Sequence, residues 1–365
     1  MKAIISGGGT GGHIFPAVAI ANALKDRYPD ADILFIGANG RMEMEKVPAA
    51  GYKIVGLPIA GLQRRLTLKN LAVPFKLLKS QCKAKKIIKE FNPDIVVGVG
   101  GYASAPTLKM AAKLGYPTLL QEQNSYPGLT NKMLASKADR ICVAYSGLEK
   151  YFPKEKIVFT GNPVRKVIED MSVDKETGCA FFGLDTSRKT VLSVGGSLGA
   201  RTINETLLDH INYFKENDLQ LIWQTGKGFY RIAADAVKAA DAESNVKVCE
   251  FIYEMDKAYA AADVIISRAG AIAISELCLV GKPVILIPSP NVTEDHQTKN
   301  AMALVNRGAA VIVRDMESKL LLCTSLSALL SDTEKQNSMR VNISEMGVRN
   351  AAGKIVDEIE KLLKS

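Results

Sequence analysis

The sequence contains 365 residues, of which 47% are hydrophobic and 23% are charged. This composition excludes a disordered chain, and the length is enough for two domains of ordinary size. The formal net charge is +9, with a pI near 9.1. An excess of positive charge on this scale indicates an anionic partner or surface.

Cysteine usage and hydropathy narrow the class of protein further. The six cysteines include no Cys-x-x-Cys pair, which argues against a metal cluster and favours reduced core residues of a cytosolic protein. The chain leads from Met1 straight into a strand-like run, so no signal peptide is expected. No apolar run in the sequence approaches the roughly 20 residues that a membrane span requires.

The most informative stretch of the first half is a glycine loop, Ser6-Gly7-Gly8-Gly9-Thr10-Gly11-Gly12-His13. A short β-branched run precedes it and an Ala/Leu-rich segment follows, with Pro16 near its start. This pattern predicts a strand, a tight loop and a helix. Glycines let the backbone approach a ligand, and N–H groups at a helix start attract anions. The stretch therefore predicts a phosphate site.

Gly7, Gly9 and Gly12 also fit the Gly-x-Gly-x-x-Gly dinucleotide fingerprint, but the rest of that fingerprint is missing. An acidic residue is expected at the end of the second strand to bind the ribose. Residues 37–39, which follow that strand, read Gly-Ala-Asn. A Walker A loop is excluded as well, because no Gly-Lys-Ser/Thr follows the glycines.

Short apolar runs alternate with helix-like segments up to about residue 161, which is typical of a parallel sheet with helices on both faces. We predict strands at residues 3–5, 33–36, 54–57, 95–99, 118–120, 140–143 and 157–159. Ligands bind at the carboxyl ends of such strands. Three further loops with glycines or polar residues follow predicted strands, at residues 98–102, 121–125 and 161–165.

The pattern restarts after a polar segment at 165–188, which we interpret as an irregular domain junction. A strand at 190–194, a second glycine loop at 195–201 and a helix at 202–217 repeat the opening of the first half. Further strands are predicted at residues 219–224, 246–251, 264–267, 284–287 and 310–313. The sequence thus predicts two doubly wound α/β domains facing each other across a cleft. We place the first at 1–163, joined by a C-terminal helix at about 345–365, and the second at 164–344.

Two loops of the second half carry groups suited to a nucleotide sugar. Gly270-Ala271 starts a helix in which Glu276 could accept two ribose hydroxyls, although a helix N-terminus favours a carboxylate in any case. The polar loop at 291–301 is rich in side chains that bond sugar hydroxyls. It can equally be a solvated loop in which Asp295 caps the next helix.

Most of the excess charge lies in one stretch, residues 64–89. It contains nine Lys and Arg residues without an acidic residue, interleaved with leucines and Phe75. Such a mixture suits an anionic bilayer, and a solvated basic helix face is the alternative. Nucleic acid is disfavoured, because interleaved aromatic residues and known nucleic-acid motifs are missing. The residues that we assign to the membrane are Leu68, Lys69, Leu71, Phe75, Lys76 and Lys79.

Six motifs occur in order along the chain: Gly8-Gly9-Thr10-Gly11-Gly12-His13, Glu122-Gln123-Asn124, Gly161-Asn162-Pro163-Val164-Arg165, Gly195-Gly196-Ser197-Leu198-Gly199-Ala200, Ser267-Arg268-Ala269-Gly270-Ala271 with Glu276, and Asp295-His296-Gln297. In this combination they resemble the MurG family of bacterial UDP-N-acetylglucosamine transferases, which convert lipid I to lipid II in peptidoglycan synthesis. The resemblance implies a GT-B fold, with two Rossmann-like domains and the donor held mainly by the second.

The resemblance also implies a donor site for UDP-N-acetylglucosamine. Its diphosphate would be held by Ser197, Arg165 and the helix start at Gly270-Ala271. The backbone at Ile252 would meet the uracil, Glu276 the ribose, and Gln297 the sugar hydroxyls. Some family members have two glutamines where this chain has His296-Gln297. The first half would add Thr10, Gly11, Gly12 and Asn124.

The acceptor, lipid I, would bind to the first domain. Its diphosphate would be held by two glycine loops through Gly8, Gly9, Gly100, Gly101 and Tyr102. The basic apolar stretch would rest on the anionic inner-membrane surface. The resemblance thus places the protein peripherally on the cytoplasmic face of the bacterial inner membrane, in cell-wall synthesis linked to cell shape and division. Cell-wall synthesis proteins are its expected further partners.

Transfer to a hydroxyl requires a base and stabilisation of the leaving diphosphate. We predict His13 as the base, since the ordinary imidazole pKa suits that task, and Asn124 and Glu122 as groups that orient the acceptor or assist proton transfer. The alternative for His13 is anion binding or ordering of its loop. No cofactor and no metal are expected, because the sequence shows no Asp-x-Asp pair of the type that holds a divalent ion on a nucleotide sugar.

Three other functions remain compatible with parts of the sequence. A UDP-N-acetylglucosamine 2-epimerase would share the fold but would not need the basic apolar stretch. A nicotinamide or flavin oxidoreductase would explain the first glycine loop but not the second. A non-enzymatic adaptor for membrane or RNA would explain residues 64–89 alone.

Overall fold

The computed structural model describes residues 1–59, 73–196 and 198–364. The chain divides into two compact units. The first comprises Met1–Arg165 with Val348–Ser365, and the second comprises Lys166–Gly347. Each unit is built on one parallel sheet.

The sheet of the first unit has seven strands in the order β3-β2-β1-β4-β5-β6-β7, with every neighbouring pair parallel. Its strands are β1 (Lys2–Ser6), β2 (Asp32–Ala38), β3 (Lys53–Leu57), β4 (Ile95–Gly98), β5 (Thr118–Glu122), β6 (Arg140–Val143) and β7 (Ile157–Phe159). Successive residues of one strand enter different cores. Ile5 packs with Phe35 and Val97 on one face, while Ile4 packs with Ile36 and Val96 on the other. Both faces are therefore covered, as doubly wound sheets require.

The helices of the first unit are α1 (Gly11–Arg27), α2 (Glu43–Ala49), α3 (Val73–Phe91), α4 (Ser104–Lys113), α5 (Leu129–Leu134) and, from the end of the chain, α16 (Ala351–Lys364). The last of these packs on α1. Ile355 and Ile359 are buried in the same core as Leu24, and the Tyr28 hydroxyl donates to Glu360 at 2.9 Å. The C-terminal helix is thus an integral layer of the first unit.

The second sheet has six parallel strands in the order β10-β9-β8-β11-β12-β13. They are β8 (Lys189–Val194), β9 (Leu219–Gln224), β10 (Val246–Cys249), β11 (Val264–Ser267), β12 (Val284–Leu286) and β13 (Val311–Ile312). The strand order reverses beside β8, as it does beside β1 in the first sheet. Such switch points open a crevice at the carboxyl ends of the strands, where ligands bind.

The helices of the second unit are α6 (Lys166–Glu169), α7 (Lys175–Phe182), α8 (Arg201–Asp209), α9 (Ile211–Glu216), α10 (Tyr230–Ala239), α11 (Met255–Ala261), α12 (Ala271–Val280), α13 (His296–Val305), α14 (Ser318–Ser331) and α15 (Thr333–Glu345). No helix in the described ranges is long and apolar enough to cross a bilayer.

The α/β fold class and the two parallel sheets are confirmed, but two local predictions are wrong. The segment at 165–188 is not irregular, because it forms α6 and α7. The single helix at 202–217 is two helices, since the backbone leaves helical geometry at His210, where φ is −123°. The apolar periodicity continues through this break, so the sequence pattern did not reveal it.

Candidate active site

The first glycine loop joins β1 to α1. Gly11 and Gly12 are the first two residues of α1, and Thr10 is its N-cap. Backbone N–H groups of a first helical turn have no carbonyl in a preceding turn to bond, and the helix dipole adds partial positive charge. The start of α1 therefore has the features of an anion site, and the phosphate site predicted there stays a prediction.

His13 is held by the backbone of its own loop. Its Nδ1 lies 3.1 Å from the Gly8 carbonyl oxygen and 3.3 Å from Thr10 Oγ1. Since a carbonyl can only accept, we assign the proton of the neutral ring to Nδ1, which leaves the lone pair on Nε2. A general base requires such a lone pair.

The loop after β4 packs directly on the first glycine loop. A Cβ at Gly101 would lie 2.3 Å from the Gly8 carbonyl oxygen, and one at Gly100 would lie 2.9 Å from His13 Nε2. The Ser104 hydroxyl is within 2.6 Å of the Ser6 carbonyl and 2.9 Å of the Gly100 carbonyl, which ties the two loops together. The predicted acceptor loops therefore meet at the carboxyl ends of β1 and β4, with Tyr102 half exposed beside them.

One residue of this loop cluster was not predicted. Glu43, at the start of α2, is buried and accepts the Gly9 N–H at 2.8 Å and the Ala38 N–H at 2.9 Å. The Gly9 N–H is thus committed to a carboxylate, and its predicted contact with the acceptor diphosphate is not open to it in this conformation. The available signal was an acidic residue soon after the second strand, near the position where the dinucleotide fingerprint expects one.

Glu122 ends β5 and is completely enclosed. Its carboxylate accepts from the Asn124 N–H at 3.0 Å, Asn124 Nδ2 at 3.1 Å, the Gly128 N–H at 3.1 Å and Asn131 Nδ2 at 2.8 Å. Burial raises the pKa of Glu122, and these hydrogen bonds oppose the rise. With both oxygens engaged, the carboxylate is placed to order Asn124 and its loop. Of the two predicted roles, orientation therefore fits better than direct proton transfer.

The loop at 161–165 is fixed to the end of β5 by buried amides. Gln121 Nε2 donates to Asn162 Oδ1 at 2.9 Å, and Asn162 Nδ2 donates to the Gln123 carbonyl at 2.9 Å. Gln123 Nε2 in turn reaches the Val99 carbonyl at 2.8 Å. This chain of amides sets the course of the backbone that ends at Arg165, which is half buried.

In the second unit, the predicted donor residues follow β8, β10, β11 and β12. Gly270 is the N-cap of α12 and Ala271 is its first residue. The side chain of Ile252 lies in the hydrophobic core with Ile274, so the backbone of Ile252 is the part that can face a ligand. Ser197 lies outside the described residues. Its loop is anchored by Gln224 Nε2, which donates to the Gly196 carbonyl at 2.9 Å.

Glu276 is the sixth residue of α12 and is 4% exposed. The helix dipole acts most strongly in the first turn, and Glu276 lies beyond that turn. Stabilisation by the dipole therefore explains a carboxylate at this position poorly. The Tyr259 hydroxyl lies 3.4 Å from Glu276 Oε2. Tyr259, on α11, is thus a neighbour of the predicted ribose carboxylate that the sequence did not indicate.

The loop before α13 presents His296 and Gln297. Glu294 and Asp295 have φ values of 54° and 52°, a left-handed turn that is strained for residues with a side chain. Gln297 Oε1 accepts from the Ser289 N–H at 2.9 Å, so its Nε2 is the group oriented to donate elsewhere. His296 Nε2 lies 3.8 Å from Glu294 Oε2.

Arg268 was named only as part of a motif, and the structure gives it a clear structural role. Its guanidinium donates to the Ile287 carbonyl at 3.0 Å and pairs with Asp315. Asp315 also accepts from the Thr202 hydroxyl at 2.9 Å. The loop after β11 is therefore tied to β12 and to the start of α8.

The basic stretch is described from α3 onward, whereas Leu68, Lys69 and Leu71 lie outside the described residues. Ala84 and Ile88 form the buried inner side of α3, while Phe75 is 76% and Leu78 is 60% exposed. Lys76 and Lys79 are exposed on the same turns. A purely solvated face would keep its apolar side chains inward, so this face has more apolar surface than that alternative predicts.

Acidic residues with Asp-x-Asp spacing do occur at Asp30 and Asp32, but Asp32 is the first residue of β2. They therefore lie at the amino end of the sheet, opposite the glycine loops. Within the ranges that the structure covers, no group of three or more His, Cys, Asp or Glu side chains is arranged to hold a metal ion.

Comparison with known proteins identifies the family. A model described as the glycosyltransferase family 28 N-terminal domain matches residues 3–143, and one described as the C-terminal domain matches residues 190–355. A protein of Parabacteroides distasonis is 56% identical over 99% of this chain and 98% of its own length. The chain belongs to glycosyltransferase family 28.

Relatives of this chain share one name. The P. distasonis protein and one of Flavobacterium psychrophilum, 50% identical over 100% of this chain and 98% of its own length, are both named "UDP-N-acetylglucosamine--N-acetylmuramyl-(pentapeptide) pyrophosphoryl-undecaprenol N-acetylglucosamine transferase". The crystal structure of Acinetobacter baumannii MurG is 29% identical, with a TM-score of 0.79 over 99% of both chains. This family 28 member is thus a glycosyltransferase, and its two sheets have the predicted GT-B architecture.

Proposed function

We propose that this glycosyltransferase moves N-acetylglucosamine from UDP-N-acetylglucosamine to the C4 hydroxyl of the muramoyl sugar of lipid I, giving lipid II. The observation that carries the proposal is the likeness over the whole chain to relatives whose name states this donor and this acceptor. The epimerase and oxidoreductase alternatives are not favoured, because these full-length relatives are named as transferases.

The chemistry is one inverting displacement. The acceptor hydroxyl attacks the anomeric carbon, the bond from that carbon to the diphosphate oxygen breaks, and UDP leaves. The proton of the hydroxyl passes to His13 Nε2, a role supported by the contact of Nδ1 with the Gly8 carbonyl. Asn124, ordered by Glu122, orients the acceptor.

Donor binding is assigned mainly to the second unit. The start of α12 at Gly270-Ala271, together with Arg165 and Ser197, stabilises the growing charge on the leaving diphosphate. Glu276 accepts the ribose hydroxyls, the backbone of Ile252 meets the uracil, and His296 and Gln297 contact the sugar. Thr10, Gly11, Gly12 and Asn124 are further residues assigned to the donor, while Gly8, Gly100, Gly101 and Tyr102 take the acceptor diphosphate.

We also propose that the reaction needs no metal ion. The starts of α8 and α12, together with Arg165, supply the positive charge that a divalent cation would otherwise provide. Activity should therefore persist in EDTA. Loss of turnover in EDTA, restored by added Mg²⁺ or Mn²⁺, would contradict this part of the proposal.

The site of action is the cytoplasmic face of the bacterial inner membrane. The exposed Phe75 and Leu78 beside Lys76 and Lys79 support peripheral contact with anionic lipid. Proteins of cell-wall synthesis are the partners expected there.

The identity of the product tests the proposed reaction. The purified enzyme is incubated with UDP-N-acetylglucosamine and a short-chain lipid I analogue, and the acceptor is analysed by mass spectrometry and NMR. We expect the acceptor to gain one N-acetylglucosaminyl residue in β linkage at C4 of its muramoyl sugar. An unmodified acceptor, or an epimerised donor, would refute the proposal.

A further inference from the structure

The Gly8–Gly9 peptide unit is bonded at both of its ends. Its N–H belongs to Gly9 and donates to Glu43 Oε2 at 2.8 Å. Its carbonyl belongs to Gly8 and lies 3.1 Å from His13 Nδ1. Because a peptide unit is planar and rigid, fixing its N–H also fixes the direction of its carbonyl.

Glu43 is itself held in place. Its Oε1 accepts the Ala38 N–H at 2.9 Å, and the side chain is 1% exposed. Gly8 adopts a φ of +151°, and a Cβ there would lie 2.3 Å from the carboxylate. The close approach of the carboxylate to the loop thus depends on glycine at position 8.

A carboxylate on the N–H end of a peptide polarises that peptide and strengthens its carbonyl as an acceptor. The strengthened carbonyl favours the ring tautomer that carries its proton on Nδ1. A hydrogen bond from one ring nitrogen to a backbone carbonyl is a general means of setting the tautomer and orientation of a histidine.

We propose that Glu43 is a positioning residue for His13, acting through the Gly8–Gly9 peptide to hold the imidazole with its Nε2 lone pair toward the acceptor. The inference rests on the proposed function, since it assumes that His13 takes the proton of the acceptor hydroxyl. Glu43 itself is 1% exposed and is assigned no contact with either substrate.

The test compares Glu43→Gln with Glu45→Gln. The amide of Glu43→Gln can accept one of the two backbone N–H groups but places its own donor against the other. Glu45 lies on the same helix with its side chain 80% exposed, so it serves as the matched control. We expect Glu43→Gln to lower kcat by about 10- to 100-fold with little change in the KM for the donor, and Glu45→Gln to resemble wild type.

A second readout does not depend on the reaction. The chain has three histidines, so protein labelled with ¹⁵N-histidine gives three imidazoles to follow, and loss of one in His13→Gln assigns His13. The spectra are recorded at about pH 8.5, well above the pKa of free imidazole. In wild type and Glu45→Gln, His13 should then show a protonated Nδ1 and an unprotonated Nε2. In Glu43→Gln, His13 alone should show a mixture of the two tautomers.

A folded Glu43→Gln with the wild-type tautomer and wild-type kcat would overturn the inference. If this variant does not fold, hydrogen exchange in wild type decides. Protection of the Gly9 amide like that of the β1 amides supports the inference, and exchange typical of an open loop overturns it. Failure of the proposed function is recognised separately, because wild type would then show no acceptor-dependent transfer.

Discussion

At the scale of single residues, two buried carboxylates order the loops of the first unit. Glu43 and Glu122 both lie inside the protein, and their bonding partners include backbone N–H groups. Removing one partner of such a group leaves buried donors unsatisfied, which costs more than the original bonds contribute. Both residues therefore fix backbone geometry around His13 and Asn124.

Replacing Glu122 tests this assignment. The Glu122 carboxylate accepts from donors of Asn124, Gly128 and Asn131. In either orientation, the amide of Glu122→Gln points its own N–H groups at some of these donors. We expect the free energy of unfolding to fall by roughly 2–4 kcal/mol and kcat to fall with it. Chemical denaturation and steady-state kinetics measure the two effects. The exposed Glu149→Gln should change neither, and a fully stable, fully active Glu122→Gln would contradict the assignment.

Lys282 gives a pH-dependent prediction away from the site. Burial lowers its pKa to about 8, and its ammonium donates to the Ala260 carbonyl at 2.6 Å and the Ala262 carbonyl at 2.5 Å. Between this value and the ordinary lysine pKa, the unfolded chain holds the proton and the folded chain has lost it. The contribution of Lys282 to stability therefore rises with pH above about 8.

The measurement is urea unfolding of wild type and Lys282→Met at several pH values. The difference in unfolding free energy should shift in favour of wild type by the order of 2 kcal/mol between about pH 7.5 and pH 10. A difference that stays constant across this range would show that the lysine titrates normally.

At the scale of elements, each loop of the candidate site follows a parallel strand. Buried parallel strands read as continuous apolar runs, and all thirteen that the structure contains in its described ranges were predicted within a few residues. The loops at their carboxyl ends could therefore be located from the sequence. The break at His210 could not, because the helical apolar pattern persists on both sides of it.

The roles within those loops were less predictable. That Gly8, Gly100 and His13 meet follows from the order of β1 and β4 in the sheet. That Glu43 turns inward to bond Gly9 depends on a contact between segments 34 residues apart, which periodicity does not encode. Likewise, Arg268 pairs with Asp315 across 47 residues. The functional assignments of these residues stay predictions.

The outer face of α3 gives the prediction at this scale. Lys76→Gln with Lys79→Gln should weaken binding to vesicles of anionic lipid by about 30-fold, since each surface cation contributes about 1 kcal/mol. UDP release with a water-soluble acceptor analogue should be unchanged. Vesicle sedimentation measures the partition.

The matched control replaces two exposed lysines of α4, Lys109 and Lys113, with Gln. It therefore has the same net charge as the Lys76→Gln, Lys79→Gln variant. Equal weakening in both double variants would mean that net charge, and not α3, mediates binding. No weakening in either would remove the membrane assignment from α3.

At the scale of the whole molecule, two sheets with the same reversal of strand order give two crevices of the same kind. The first carries glycine loops, a histidine and ordered amides, and the second carries two helix starts, a buried carboxylate and a polar loop. The sequence analysis predicted the same distribution of these groups between the two halves of the chain. This division supports a transferase with the acceptor in one unit and the donor in the other.

The most direct test of the account is UDP release from UDP-N-acetylglucosamine, with and without a short-chain lipid I analogue. Wild type is compared with Glu276→Gln and with the exposed Glu243→Gln as control. The account predicts release that requires the acceptor, a KM for the donor raised about tenfold or more in Glu276→Gln, and wild-type behaviour in Glu243→Gln. UDP release that is absent, or equal without acceptor, would contradict it.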